Sequence, residues 1–169
     1  MHIITLATQK GGSGKSTLAA CVAVAAESEG IKTAVLDTDP QGSVFKWGER
    51  REAETPAVDR CEPHQLAAVL KSLPKQGFEL VIIDTAGAHN ASVAPALQAA
   101  DFCLVPVKPT LTDLEAAIPT AKQLRDRKTR FGFVLIPTLA DQNPCAQSRN
   151  PRDMMRHGCS TSLFHASQQ

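Results

Sequence analysis

The chain has 169 residues, 43% of them hydrophobic and 21% charged, with a formal net charge of +1. That length suits one domain with its own core. The composition excludes a disordered polyelectrolyte and a globally basic nucleic-acid binder, so any affinity for nucleic acid must come from a local patch. No run reaches the ~18–20 apolar residues a membrane span needs, and the first residues read as a strand rather than a secretory leader. A cytoplasmic protein without membrane contact is expected. The five cysteines, at 21, 61, 103, 145 and 159, form no CxxC pair and no zinc spacing. Cys21, Cys61 and Cys103 lie in apolar runs and are expected as buried, reduced thiols.

Strand and helix patterns then alternate. Ile3 to Ala7 is an apolar run, followed by a glycine-rich segment and by Leu18, Cys21, Val22 and Ala25 at helical spacing, with Gly30 as the stop. Thr33 to Leu36 is a short strand ending at Asp37, and Ser43 to Arg51 a short helix carrying Trp47. Pro63 can open a third helix with Leu66, Val69, Leu70 and Leu73 on one face, ending near Pro74. Leu80 to Ile83 reads as a strand buried on both sides, ending at Asp84. Phe102 to Val105 and Phe131 to Ile136 are further strands. Between them Thr112-x-x-Glu115 reads as a capping box opening a helix through Leu114, Ala117, Ile118, Ala121 and Leu124, which Pro119 should kink. The pattern predicts an α/β fold, a mainly parallel, doubly wound sheet with helices on both faces. Residues 1–140 form its domain. Residues 141–169 show little periodicity and read as a poorly ordered tail, with at most a short helix over Arg152 to Arg156.

Three segments carry chemistry, and in such folds all three fall at the carboxyl ends of strands, where ligands bind. The first is Lys10-Gly11-Gly12-Ser13-Gly14-Lys15-Ser16-Thr17. A glycine-rich turn between strand and helix aims backbone N–H groups at phosphate, the lysine reaches the β/γ-phosphates, and Ser16 can ligate Mg²⁺. The ordinary P-loop has a glycine five residues before Gly14, where this chain has Gln9, and a second lysine stands at Lys10. The second segment is Asp37-Thr38-Asp39-Pro40-Gln41-Gly42. Paired carboxylates beside phosphates make sense with Mg²⁺ present and a water to position. The third is Asp84-Thr85-Ala86-Gly87, where a carboxylate at a strand end can hold Mg²⁺ through water. Gly87 gives the backbone freedom to sense a terminal phosphate, and His89, just beyond, is read as facing solvent or a partner.

The first segment resembles the P-loop of the ParA/MinD group of ATPases, written KGGxGK[ST], and the second resembles the DxDPQG motif of ParA proteins. Val105-Pro106-Val107-Lys108-Pro109-Thr110 is similar to the family's IPVxPS segment, and Leu135-Ile136-Pro137-Thr138 to its strand leading to the adenine pocket. The likeness is strongest to short ParA proteins of the ParF type. It implies a P-loop NTPase fold and a Mg²⁺-dependent ATPase that dimerises on ATP. In that family these proteins segregate plasmid or chromosomal DNA with a centromere-binding ParB-type partner. It also implies that Lys10 reaches the partner's nucleotide and that Asp39 orients the attacking water. Asp37 would support the ion's hydration shell, and Pro137 and Thr138 would lie by the base.

The resemblance stops near Asp141, so the C-terminal part reads as truncated or atypical, as from a shortened or frame-shifted gene. A basic cluster, Lys122, Arg125, Arg127, Lys128 and Arg130, is read either as a solvated helix end or as contacts to the backbone of nonspecific double-stranded DNA. Other readings of the chain stay open. It could be a nucleotide-binding, dimerising remnant without turnover. A MinD-like membrane ATPase needs a basic amphipathic terminal helix that the tail lacks, and an iron–sulfur reductase needs cluster cysteines.

Overall fold

Alternate residues of the central strands enter two different helical layers, and the whole fold follows from that alternation. In a computed structural model, described over residues 1–87, 93–137 and 163–164, the sheet contains β1 (His2–Leu6), β2 (Thr33–Asp37), β3 (Ala57–Arg60), β4 (Leu80–Asp84), β5 (Phe102–Val107) and β6 (Phe131–Leu135). These six run parallel in the order β3-β2-β4-β1-β5-β6. A two-residue strand, β7 (Leu163–Phe164), pairs antiparallel with β6 at the edge. Val81, Ile82 and Ile83 are all fully buried, which is why β4 reads as a continuous apolar run rather than an alternating one.

One face is covered by α1 (Lys15–Ser28) and α2 (Ser43–Glu49), which pack Leu18, Ala19, Ala23 and Val44 against Leu6, Val35 and Ile82. The other is covered by α3 (Leu66–Ser72), a following 3-10 turn (Leu73–Gln76) and α4 (Val93–Ala99), which bury Leu66, Leu73 and Ala96 against Ala34, Leu36, Val81 and Ile83. Beside them α5 (Leu111–Asp126) packs Ala117 and Leu124 against Cys103, Val105 and Val107. The α/β doubly wound architecture expected from the alternation is therefore the one observed.

Several local expectations shift. The covered face of α1 runs through Leu18, Ala19, Ala20 and Ala23, and Cys21 is only half-buried, whereas Cys61 and Cys103 are buried free thiols. Small side chains let this helix lie close on the sheet. Its end is as foreseen: Gly30 takes φ 82°, its N–H donates to the Glu27 carbonyl and that of Ile31 to Ala26. The third helix begins at Leu66, not Pro63. The cap of α5 is Thr110, whose Oγ1 accepts from the Asp113 N–H; Thr112 already lies inside the helix. Extended backbone at Thr110 (φ −122°, ψ 148°) moves the start two residues upstream of the expected box. The helix continues through Pro119 to Asp126. Strand β3 and helix α4 had no counterpart in the sequence reading. The expected tail lies outside the described residues except for β7, as do His89, Thr138, Cys145, Cys159 and the expected Arg152–Arg156 helix.

The edge strand β3 is held against α2 at close range. A Cβ placed on Gly48 would lie 2.8 Å from Cβ of Val58. Gly48→Ala gains helix propensity of up to about 1 kcal/mol, but overpacking costs about 1–3 kcal/mol. Urea denaturation is expected to show net destabilisation, and adding Val58→Ala to that variant should recover part of it.

Candidate functional site

The chain leaves β1 into a tight turn that only glycine accommodates. Gly12 and Gly14 take φ values of 68° and 93°. Gly14 is the N-cap of α1 and offers no side chain to satisfy the helix's first N–H groups. Those donors, with the positive end of the helix dipole, make an anion cradle. A cavity of about 530 Å³ opens there, lined by residues 11–17 together with Asp39, Gln41, Ser43, Ala86 and Gly87. Gly87 is the close-approach position: a Cβ on it would stand 3.3 Å from the Gly11 backbone and 3.4 Å from Lys15 Nζ. From the other side, Ile136 just beyond β6 lies 3.5 Å from where a Cβ of Gly14 would be.

The ends of β1, β2 and β4 are tied to one another. The Thr38 N–H and hydroxyl donate to the Asp84 carbonyl at 2.9 and 2.8 Å. The Thr85 hydroxyl donates to the Leu6 carbonyl at 2.7 Å. Asp37 then folds the loop that follows β2. Its Oδ1 accepts from the Asp39 N–H and its Oδ2 from the Phe45 N–H, each at 3.0 Å. The second bond caps α2, whose N-cap residue, Gly42, cannot do so itself. Asp39 in turn accepts from the Gln41 N–H at 2.9 Å, and Arg60 donates to the Pro40 carbonyl at 2.7 Å. Asp37 thus holds the loop that presents Asp39 to the cavity.

Charge in this site is poorly compensated. Lys15 is buried, and desolvation lowers its pKa against the pull of Asp84 and Asp39. Burial raises Asp37, opposed by the N–H groups of Phe45 and Asp39. Asp84 is 0% exposed and neither carboxylate oxygen has a hydrogen-bond partner among the described residues. Burial pushes its pKa up to about 7, with Asp37 and Asp39 adding to the rise. The nearby Ser16 hydroxyl, outside hydrogen-bond geometry, and Lys15 oppose it. Two orphaned carboxylate oxygens beside a serine hydroxyl fit a hard, oxygen-seeking cation such as Mg²⁺. Among the described residues no cluster of three or more His, Cys, Asp or Glu side chains could cage a metal alone, so an ion here would share its shell with ligand oxygens and water.

The site residues read from the sequence fall into four groups. Gly11 to Thr17, Asp37, Asp39 and Asp84 come together. Lys10 does not join them: its Nζ donates to Asp113 Oδ2 on α5 at 2.7 Å. Pro137 is exposed just beyond β6, and Thr138 lies outside the described residues. Lys122, Arg125, Arg127, Lys128 and Arg130 are exposed on the far half of α5 and the turn after it and do not line this cavity, although Lys122 and Arg127 line a second one with Gln9. The sequence reading missed Asp113 and the two threonine ties, since nothing in the local pattern marks a hydroxyl that reaches a neighbouring strand.

Asp84 has a measurable consequence. Its carboxyl binds a proton more tightly folded than unfolded, so the ligand-free protein loses stability as pH rises from about 4 to about 7. Asp84→Asn removes that penalty. Thermal melts without ligand should show Asn raising Tm by several degrees at about pH 8, by less at about pH 5 and hardly at all at about pH 4.

The family model for the CobQ/CobB/MinD/ParA nucleotide binding domain matches residues 4–167, continuing through the segment where no further motif can be read. Protein ParA of Rhizobium radiobacter is 30% identical over 118 residues, 67% of this chain and 51% of that protein. The maintenance of carboxysome distribution protein A of Gloeobacter kilaueensis is 34% identical over 121 residues, 70% of this chain and 55% of that protein. The chain spans about half the length of these curated relatives. Among solved structures, the septum site-determining protein MinD of Pyrococcus horikoshii, complexed with Mg-ADP, superposes with a TM-score of 0.67 at 20% identity over 79% of this chain and 69% of that one. A plasmid partition protein from Borrelia burgdorferi gives 0.64 at 19% identity over 92% and 86%. The second lysine before the glycine-rich loop, the doubly wound fold and the family match agree: this chain belongs to the CobQ/CobB/MinD/ParA nucleotide-binding family, with a P-loop NTPase fold.

Proposed function

We propose that the protein binds ATP with Mg²⁺, dimerises across the bound nucleotide, hydrolyses it slowly and serves in plasmid or chromosome segregation. The observation that carries this reading is the convergence of the glycine-rich loop, Lys15, Asp39 and the unpaired carboxylate of Asp84 at one edge of the sheet. The helix N-terminus and Lys15 neutralise phosphate charge. Ser16 and Asp84 would hold Mg²⁺, which supplies further neutralisation of the phosphates when bound. Asp39 orients the attacking water and accepts its proton. Asp37 fixes Asp39, and its remaining lone pairs are available to water around the ion. Lys10 acts in trans, reaching the nucleotide of a second copy. The base would lie toward the end of β6, by Pro137 and Thr138.

The partner classes follow the relatives. Proteins named ParA and IncC are among the similar sequences, which supports a partition role with a ParB-type partner. The exposed basic end of α5 supports contact with duplex DNA through phosphates, with the steep salt dependence such contacts carry. The same surface suits a nucleoid-associated cytoplasmic protein. A second reading, a nucleotide-binding and dimerising protein without turnover, draws on Lys10, which sits on Asp113 rather than at the cavity.

The deciding experiment is Mg²⁺-dependent ATP turnover against protein concentration, with and without duplex DNA. Turnover per subunit should rise with concentration. Lys10→Ala and Asp39→Ala should each lower it by on the order of 100-fold or more, as loss of a transition-state charge or a water-positioning group does. Tight ATP binding with no turnover in the unmodified protein would select the second reading.

A further inference from the structure

The turn that carries Asp39 is fastened by a side chain that does not line the phosphate cavity, that of Arg60. The backbone of Arg60 is fixed first. It is the last residue of β3, in register with Asp37 at the end of β2, and the next N–H, that of Cys61, donates to the Asp37 carbonyl at 2.9 Å. The guanidinium then reaches across the turn. Its Nη2 donates to the Pro40 carbonyl at 2.7 Å, and its Cζ stands 5.8 Å from the centre of the Phe45 ring, in the first turn of α2. A Cβ on Gly42 would lie 3.2 to 3.4 Å from Nη2, Cζ and Nε, so the guanidinium covers a position that glycine keeps open. Gly42, at φ 62°, closes the turn with its N–H on the Asp39 carbonyl at 2.9 Å.

A single peptide unit connects Arg60 to the Asp39 carboxylate. The Pro40–Gln41 peptide accepts from Arg60 at its carbonyl and donates its N–H to Asp39 Oδ1 at 2.9 Å. The unit is planar, so the bond at the carbonyl holds the plane from which the N–H aims the carboxylate. A cation on the carbonyl also polarises that N–H and strengthens its bond to Asp39. We propose that Arg60 is a positioning residue for hydrolysis: through this peptide it holds the Asp39 carboxylate in the orientation that directs the attacking water. This rests on the reading of Asp39 as the water-orienting group. Loss of Arg60 leaves in place Lys15 and the loop N–H groups that hold the phosphates. The expected signature is therefore a lower kcat with an unchanged KM for ATP, as when an interaction is made only in the transition state.

Two measurements test this on Arg60→Ala, which removes the donor, and on Arg60→Lys, which keeps a cation able to donate. The first is amide–water exchange by NMR in the nucleotide-free protein, with the Gly30 N–H at the end of α1 as the reference for any general loosening. Exchange at Gln41 should speed about two- to tenfold relative to Gly30 in Arg60→Ala, the worth of one hydrogen bond, and by less in Arg60→Lys. The second is steady-state turnover of ATP with Mg²⁺. Arg60→Ala should lower kcat by about two- to tenfold with KM unchanged, and Arg60→Lys should recover part of the loss. In an Asp39→Ala background, Arg60→Ala should lower kcat no further. Unchanged exchange at Gln41 overturns the clamp. Faster exchange with an unmoved kcat, in a protein that turns over, overturns the positioning role and leaves the Asp39 reading intact. A fall in kcat of the same size with Asp39 already replaced means that Arg60 acts by another route, and overturns the positioning role as well. No turnover in the unmodified protein, or turnover that Asp39→Ala leaves untouched, overturns both the positioning role and the reading of Asp39 on which it rests.

Discussion

Two threonine hydroxyls fix the carboxyl edge of the sheet, and the rest of the site is built on that edge. Thr38 ties the end of β2 to the Asp84 carbonyl, and Thr85 ties the end of β4 to the Leu6 carbonyl. Parallel strands feed their loops outward at the same level, and these cross-strand bonds keep three neighbouring loops from splaying. Their buried hydroxyls are satisfied, as burial requires. The glycine-rich loop can then approach Gly87 at a spacing that a Cβ there would make tight, 3.3 Å from the Gly11 backbone. Geometry at this edge is a property of the strands rather than of the loops, which allows the loops to be short and glycine-rich without being imprecise.

The electrostatics give the same edge a different character. Asp37, Asp39 and Asp84 face one buried lysine, and both Asp84 and Lys15 are pushed toward their neutral forms. A phosphate entering alone would meet two more negative than positive side-chain charges. The arrangement favours phosphate only when a divalent cation comes with it: the cation answers Asp84, and the anion answers Lys15 and the helix start. Stability left unused in the ligand-free protein is thus available to ligand binding, a common pattern where function and fold compete for the same buried groups.

What could be read in the sequence depended on whether a residue's role was local. Leu80 to Asp84 announced itself because a doubly buried strand must be apolar and a carboxylate at its end is conspicuous. The loop from Lys10 to Thr17 did so because phosphate binding needs glycine at positive φ. Strand β3 stayed hidden: it has four residues, two of them exposed and charged, and pairs on one side only. Helix α4 offered six small or apolar residues and one glutamine, without a charged face. The cap at Thr110 was displaced to Thr112 because both positions present a threonine three residues before an acid, and only the extended backbone at Thr110 separates them. The Lys10–Asp113 pair had no sequence signal at all, since its partners meet only after β5 is laid beside β1.

Helix α5 joins two regions with different demands. Its first turn holds Asp113. Its last turn ends with Lys128 at φ 57°, a left-handed position usually given to glycine, with the Lys128 N–H donating to the Arg125 carbonyl and that of Thr129 to Leu124. Arg130 lies 6.0 Å from the centre of the Phe102 ring. The backbone of Lys128 and the side chain of Arg130 therefore have structural work, while the charges of Lys122, Arg125, Arg127 and Lys128 stay exposed for a polyanion. The basic end of α5 is not remote from the glycine-rich loop: Lys122 and Arg127 line a second cavity, of about 510 Å³, together with Gln9, the residue just before Lys10. A polyanion bound there would sit beside the start of that loop and on the helix whose first turn holds Lys10.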